Sequence, residues 1–455
     1  MTVPAPARHL QLAIRASRPA IGRVGGGVHL LVRAEPPPRA RSARRRPVAL
    51  ALVIDRSGSM GESVEGSPGA VPSRRTGRDS GAADKLSFVR AATLRLLDLV
   101  HDGDAVALIA FDDSVQVLKP LTIVDDRSRR ALAAAVDRLE PGGSTFLEGA
   151  VRAGLEQLGR EARDRYGCKL VLLSDGEANV GERRPAVLAE IAAEAARAGV
   201  TTATLGVGFA YNIGLMTALA EAGNGDFSHI RSLESLDEIL REEFTAAAEV
   251  TARGVEVSVE VPERLAFGTN VNSYRQESTD GGFRVFLGDL VRPKEFLFEV
   301  TTPVALEGDE LTVGVHAAYC DAADAPQEST SGLSIRVCEA AEALAEPVDE
   351  AVIDRLLLQL PAQAQMATIL AYEAGDAGAA AAALHASRTA MAGVHRLYGA
   401  AATGRPEMTA WESRLTDLAA GTASRTLSAP QMKGMFAASH DLSRSRPPRP
   451  GPPHW

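Results

Sequence analysis

A strand-like stretch near the start of the chain delivers one carboxylate and two hydroxyls at regular spacing. The aliphatic run VALALVI (48–54) is followed at once by Asp55, and Ser57 and Ser59 stand at alternate positions after it. A run that is apolar at every position is typical of a strand that is covered on both faces. Carboxylate and hydroxyl oxygens are the ligands that hard divalent cations prefer, so the stretch could form part of a metal site.

Two later stretches could supply the rest of such a site. The run KLVLLS (169–174) leads into Asp175, and the loop PGGST (141–145) places Thr145 directly before a predicted helix. Because an open α/β sheet carries its functional loops at the carboxyl ends of its strands, we expect all of these side chains to meet at one edge. Each residue alone has an ordinary structural explanation as a turn or helix-capping residue, but the whole ordered set favours metal binding.

The donor set indicates which metal the site would take. Two carboxylates and three hydroxyls select Mg²⁺, with Mn²⁺ or Ca²⁺ as alternatives, and disfavour zinc and copper. Neutral hydroxyls leave the ion less neutralised than four carboxylates would, so it could accept another anionic oxygen from outside the protein. The nine histidines include no HxxxH pair, which disfavours a zinc enzyme. We therefore predict a site that holds a partner through a shared ion.

Strands and helices alternate around these loops, which predicts a doubly wound, mostly parallel α/β sheet. Strand-like runs lie at 48–54, 104–111, 169–174, 200–208 and 225–230. Helical patterns lie at 85–100, 127–139, 146–159, 184–199 and 232–250.

Shorter, alternating runs follow from about residue 251 and predict antiparallel strands of a sandwich or barrel. Two β-like runs at the start, HLQLAIRAS and GVHLLVRAE, have no partners nearby, so we expect them to complete this second sheet. The α/β domain would then be inserted in an antiparallel β-sandwich domain. The predicted segments are N-terminal β strands with an Arg/Pro linker that pair with the later β domain (1–46), the α/β domain (47–249), the β-sandwich (250–342), a helical C-terminal region (343–440) and a disordered tail (441–455).

The set Asp55-x-Ser57-x-Ser59, Thr145 and Asp175 resembles the metal-ion-dependent adhesion site of von Willebrand factor A (VWA) domains. The stretches FDDSVQVLKPLT, GGSTFLEGA and LLSDGEANVG match as well, so the resemblance covers roughly residues 47–249. The order of domains is similar to that of bacterial proteins related to the inter-alpha-trypsin inhibitor heavy chains and to the calcium-activated chloride channel homologues.

The resemblance implies a role for each candidate ligand. Ser57, Ser59 and Thr145 would bind the ion through their hydroxyls, while Asp55 and Asp175 would bind directly or through water and orient the hydroxyls. A Glu or Asp of a protein partner would take the remaining position. An AAA-type ATPase is a partner by resemblance only.

The composition of the chain argues against some classes of protein function. The net charge of −9 and the pI near 5.6 argue against a nucleic-acid binder. No segment approaches the roughly 20 apolar residues that span a bilayer. Three cysteines, which cannot all pair, favour a reduced cytoplasmic protein. We interpret the chain as a cytoplasmic adaptor or scaffold that is not an enzyme.

Two alternatives stay open. One is a metal-dependent phosphoryl-transfer or hydrolase enzyme with Asp55 as nucleophile. Against it, a haloacid dehalogenase type of hydrolase would carry a second acid where this chain has Ser57. The other alternative is a soluble accessory subunit of a membrane or ATPase complex.

One stretch departs from the compact family pattern. The polar segment between Met60 and Lys85 is long and rich in Gly, Ser and Pro, and we favour a disordered excursion there. Alternatively, it shapes partner choice as a lid, or one of its acids (Glu62, Glu65 or Asp79) occupies the open coordination position of the metal in cis.

Overall fold

The structure is a computed structural model of the 455-residue chain. It describes residues 9–38, 45–62, 84–175, 178–230, 233–268, 271–402, 404–424 and 426–444. The chain forms two compact units, an inserted unit (Arg41–Val250) and a discontinuous unit (Met1–Ala40 with Thr251–Trp455).

The discontinuous unit begins with three strands, β1 (Gln11–Ala16), β2 (Ala20–Gly22) and β3 (Gly27–Glu35). β1 and β3 pair antiparallel with each other, a pairing that the sequence pattern did not predict. The short strand β2 was not predicted, because three residues are too few to show a period.

The inserted unit alternates strands and helices. Its strands are β4 (Val48–Asp55), β5 (Ala105–Phe111), β6 (Val115–Ile123), β7 (Gly167–Ser174), β8 (Val200–Val207) and β9 (Asn224–Ile230). Its helices are α1 (Lys85–Leu99), α2 (Asp126–Asp137), α3 (Leu147–Gln157), α4 (Arg160–Arg165), α5 (Pro185–Arg197), α6 (Ile213–Ala222) and α7 (Leu233–Glu249). A short 3-10 turn (Gly58–Gly61) follows β4.

These strands form one six-stranded sheet in the order β6-β5-β4-β7-β8-β9. All neighbours are parallel except β6, which runs antiparallel to β5 at the edge. β4 lies in the middle and is buried at every position, which explains its unbroken aliphatic sequence. Side chains of α1, α2 and α7 pack on one face, and α3 packs on the other against Val53 and Leu170. The predicted doubly wound sheet is confirmed.

The rest of the discontinuous unit contains seven more strands and five helices among the residues that the structure describes. The strands are β10 (Ala252–Glu260), β11 (Ala266–Phe267), β12 (Gln276–Thr279), β13 (Gly282–Leu290), β14 (Lys294–Thr301), β15 (Glu310–Asp321) and β16 (Pro326–Cys338). The helices are α8 (Ala340–Ala345), α9 (Glu350–Glu373), α10 (Ala377–Tyr398), α11 (Pro406–Ser424) and α12 (Ala429–Ser443).

The strands of this unit form two sheets that share one apolar core. The sheets have the orders β1-β3-β14-β11 and β12-β13-β10-β15-β16-β2. β3 pairs antiparallel with β14 over its whole length, so chain on both sides of the inserted unit builds one sheet. Phe296 and Phe298 of one sheet join Val257 and Phe283 of the other in the core. The expected insertion of the α/β domain in a β-sandwich is confirmed.

The helical end of the chain runs further than the sequence pattern indicated. α12 continues to Ser443, and residues 445–455 of the expected disordered tail lie outside the described residues. The predicted boundary between the β-sandwich and the helical region stays a prediction. All three cysteines are free thiols. No helix in the described part of the chain is long and apolar enough to cross a membrane.

Candidate metal centre

The carboxyl end of β4 holds Asp55 in a fixed position. Asp55 is fully buried, and its two carboxylate oxygens accept different hydrogen bonds. Oδ1 accepts one from the backbone N–H of Ser57 at 2.8 Å, and Oδ2 accepts one from the hydroxyl of Ser174 at 2.5 Å. β7 lies beside β4 in parallel register, which brings Ser174 next to Asp55. The strand pairing therefore orients this carboxylate.

The two serines after β4 connect this loop to the end of β7. Ser57 Oγ and Ser59 Oγ lie 3.2 Å apart, and Ser59 Oγ donates to Asp175 Oδ1 at 2.8 Å. Asp175 is fully buried and Ser57 is 3% exposed. Met60, the next buried residue, anchors the 3-10 turn in the core of the inserted unit. Four of the five predicted ligands are thus joined by hydrogen bonds at the carboxyl edge of the sheet.

Thr145 reaches the same edge through its backbone. The loop before it is tied to the loop after β4, because the N–H of Gly58 donates to Gly143 O at 2.9 Å and the N–H of Gly142 donates to Arg56 O at 2.6 Å. The N–H of Thr145 donates to Asn179 Oδ1 at 2.8 Å, in the segment that follows Asp175. These contacts place Thr145 between the two loops that carry the carboxylates.

Asp112 fixes the position of the loop that carries Thr145 through one ion pair and one backbone hydrogen bond. Its Oδ2 forms an ion pair with Arg56 Nη2 at 2.9 Å, and its backbone oxygen accepts from the N–H of Phe146 at 2.7 Å. A Cβ atom on Gly142 would lie 2.2 Å from Asp112 Oδ2, so the close approach of this loop requires glycine. Sequence reasoning missed Asp112 as a site residue, although it comes directly after β5 and Asp55 stands at the same end of the neighbouring strand β4, and that position was a usable signal.

The electrostatics of the two buried carboxylates favour a cation. The pKa of Asp55 is raised to about 6, mainly by burial and in smaller part by the negative charge of Asp175, against the hydrogen bonds from Ser174 and Ser57, which lower it. A neighbouring positive charge relieves this repulsion. The side chains present therefore fit a divalent cation. The described ranges contain no group of three or more His, Cys, Asp or Glu side chains that could hold a metal ion, so the present site depends on its hydroxyl donors as well as its two carboxylates.

Lys85 supplies one positive charge that the sequence did not reveal. It is the first residue of α1, and its Nζ donates to Asp175 Oδ2 at 2.7 Å and to Ser59 O at 3.2 Å. Nζ also pairs with Glu62 Oε2 at 3.2 Å. Burial lowers the pKa of Lys85, but the hydrogen bond and charge of Asp175 outweigh it, so the pKa is raised. Nothing in the local sequence marks this lysine, because its partners are distant along the chain.

Of the three acids that could take the open coordination position of the metal from within the same chain, the structure describes only Glu62. The carboxylate of Glu62 is largely exposed and pairs with Lys85. Glu65 and Asp79 lie outside the described residues.

Comparison of the sequence with protein-family models identifies a known domain around this site. The family model of the von Willebrand factor type A domain matches the chain from residue 49 to residue 242. These residues form a VWA domain. VWA domains are generally metal-dependent protein-interaction modules, their relatives are mostly non-enzymatic, and they commonly bind a divalent metal.

Several curated proteins are related to the chain over part of their length. Protein sll0103 of Synechocystis sp. is 26% identical over 291 residues, which cover 62% of this chain and 63% of the relative. Human inter-alpha-trypsin inhibitor heavy chain H3 is 26% identical over 251 residues, 54% of this chain and 26% of the relative. Calcium-activated chloride channel regulator 1 of Bos taurus is 27% identical over 130 residues, 28% of this chain and 12% of the relative. The chain therefore spans less than two thirds of each relative, and both predicted resemblances are confirmed.

Some solved structures resemble nearly the whole chain. One of them is the von Willebrand factor type A protein from Catenulispora acidiphila, with a TM-score of 0.65 and 18% sequence identity. The match covers 96% of this chain and 91% of that one, so the two proteins share a fold that includes both units.

Proposed function

We propose that the VWA domain binds a protein partner through a divalent cation held by Asp55, Ser57, Ser59, Thr145 and Asp175. The observation that carries the proposal is the hydrogen-bonded chain from Ser57 through Ser59 to Asp175, beside the buried carboxylate of Asp55. Oxygen donors alone favour Mg²⁺, with Mn²⁺ or Ca²⁺ as alternatives.

The proposed ligands comprise two charged donors and three neutral donors, which have different roles. Asp55 and Asp175 compensate the charge of the ion, and the hydroxyls of Ser57, Ser59 and Thr145 complete its shell without adding charge. The ion, when bound, supplies a positively charged centre that accepts one carboxylate oxygen from outside the chain. A Glu or Asp side chain of a protein partner is the expected source of that oxygen.

The surroundings of Asp55 support binding in preference to catalysis. A nucleophilic aspartate must present a free oxygen to its substrate. Asp55 has no exposed surface through which a substrate could reach it, whereas each of its oxygens, which accept one hydrogen bond from Ser57 and one from Ser174, keeps a lone pair for a bound ion. The proposal therefore treats the protein as an adaptor and not as an enzyme.

The partner and the place of action belong to the same proposal. An AAA-type ATPase is a candidate partner by family resemblance, and the discontinuous unit would hold further components of such a complex. The three free thiols support a reducing compartment, in line with the cytoplasmic location that the proposal adopts.

Calorimetric titration of Mg²⁺, Mn²⁺ and Ca²⁺ into EDTA-stripped full-length protein tests the metal site. We expect saturable binding at one site in the wild type and none in Asp175→Asn. Asp137→Asn is the matched control, because it removes the same charge from an exposed position at the end of α2. Equal binding by wild type and Asp175→Asn, or no binding by folded wild type, would overturn the metal site.

Capture of partners then tests the use of the ion. We expect wild-type bait to retain a partner in Mg²⁺ and lose it in EDTA, and Asp175→Asn bait to lose it in both conditions. Replacement of one Glu or Asp of the partner by its amide should abolish capture. A partner retained equally with chelator would contradict the proposed role of the ion.

A further inference from the structure

Lys85 lies against the proposed metal site as a second, built-in cation. Its side chain is 6% exposed, and its ammonium group contacts one oxygen of the fully buried Asp175 at 2.7 Å. The other oxygen of Asp175 faces the hydroxyl of Ser59. The carboxylate is therefore divided between the serine loop and the lysine.

The position of Lys85 is specified by several parts of the domain. Its Nζ also reaches Ser59 O, in the loop that carries the ligands. Asp84 caps the helix that Lys85 begins, which fixes the start of the side chain. Gly208, with a φ of +73°, lies along the stem of the lysine, and a Cβ atom there would stand 3.1 Å from Lys85 Cε. The loop after β8 thus leaves the space that the lysine fills.

Two effects follow from a fixed positive charge at this place. A buried carboxylate without a partner is strongly destabilising, so Lys85 stabilises the domain when no metal is bound. The same charge repels a divalent cation and withdraws one oxygen of Asp175 from it, so Lys85 weakens the binding of the metal.

We propose that Lys85 is an internal counter-ion that keeps the metal-free site folded and lowers its affinity for the divalent cation. This inference rests on the proposed function, because it assigns a residue that regulates the same site. The lower affinity that Lys85 causes would let the ion dissociate readily from the site. A partner carboxylate, which adds negative charge next to the ion, would favour the metal-bound state.

The variant Lys85→Met tests the proposal, and Lys169→Met is its matched control. Lys169 forms a buried ion pair with Glu243 at the amino end of β7, the strand whose carboxyl end leads to Asp175. Removal of an ordinary buried ion pair should lower the melting temperature equally in EDTA and in Mg²⁺ and leave the Kd unchanged. Removal of a counter-ion should lower the melting temperature in EDTA and lower the Kd for Mg²⁺. Saturating Mg²⁺ should then restore most of the lost melting temperature.

The measurements are calorimetric titration with Mg²⁺ and thermal unfolding of the full chain in EDTA and in saturating Mg²⁺. We expect Lys85→Met to bind Mg²⁺ about tenfold more tightly than wild type, because a charge a few ångströms away contributes at least that much even when well screened. Lys85→Gln, which keeps a donor to Asp175 without the charge, should also bind more tightly and lose less stability.

The outcomes separate this inference from the proposed function. No Mg²⁺ binding by the folded wild type would overturn both. Wild-type binding with an unchanged or weaker Kd in the two Lys85 variants would overturn the counter-ion and leave the metal site intact. Variants that fold only with Mg²⁺ would support the counter-ion, and variants that fold in neither condition would overturn it by assigning Lys85 a purely structural role.

Discussion

Ser174→Ala removes a hydroxyl on which the buried carboxylate of Asp55 depends. The two residues are 1% and 0% exposed, and the hydroxyl donates to Asp55 Oδ2 over 2.5 Å. A hydrogen bond to a charged group contributes about 1.5–3 kcal/mol, so we expect the metal-free variant to lose about 2 kcal/mol of free energy of unfolding. In a unit the size of the inserted one, that loss lowers the melting temperature by about 4–8 °C.

Differential scanning calorimetry in EDTA measures this change. Thr204→Val is the matched control, because it removes a buried hydroxyl of the same sheet that donates over 2.8 Å to a neutral acceptor, Met216 O. The control should lose about 1 kcal/mol. A Ser174→Ala transition at the wild-type temperature, or lowered no more than that of Thr204→Val, would refute the argument that Ser174 supports a buried, charged Asp55.

Two further predictions concern other parts of the chain. Gly142→Ala should weaken Mg²⁺ binding in calorimetric titration and destabilise the domain by about 1–3 kcal/mol, because the new methyl group overlaps Asp112 and displaces the loop of Thr145. Gly434→Ala, in the interior of α12 where a Cβ atom meets nothing within 4 Å, should leave Mg²⁺ binding unchanged and stabilise the protein by about 0.5–1 kcal/mol, and equal behaviour of the two variants would contradict the steric argument. Burial lowers the pKa of His29 to about 4 from its ordinary 6.5, so the unfolded state binds more protons between these values and stability falls as the pH falls through that window, by about 3 kcal/mol in total. Urea unfolding at pH 7 and pH 4.5 should show most of this loss in wild type and a smaller one in His29→Gln, and identical losses would contradict the assignment.

The sequence predicts the strand ends better than it predicts the contacts between them. Asp55 and Asp175 could be placed because each follows a strand that is buried on both faces, and such strands have an unmistakable apolar pattern. Thr145 could be placed because the predicted helix begins directly after it. The inserted arrangement was also predictable, since the first apolar runs needed partners that only the later β domain could supply.

Three elements of the inserted unit were missed for physical reasons. α4 has only six residues, which are too few to show a helical period. β6 is a half-exposed edge strand that contains Lys119 and Pro120, so it shows neither a buried run nor a clean alternation. α6 is buried on most of its surface, so its sequence lacks the period of an amphipathic helix.

The residues that support the ligands were missed for a different reason. Lys85, Asp112 and Asn179 act through contacts with segments far away along the chain. Lys85 has an unremarkable local sequence, and Asp112 and Asn179 lie in stretches that match the family pattern without showing their contacts. Only the packing of three loops at one sheet edge gives these side chains their roles.

The location of bound metal in crystals of the full chain tests the central claim most directly. Crystals grown with Mn²⁺ and measured for anomalous scattering should show one peak among the side chains of Asp55, Ser57, Ser59, Thr145 and Asp175. Strong peaks elsewhere with none at this site, under saturating Mn²⁺, would contradict the account.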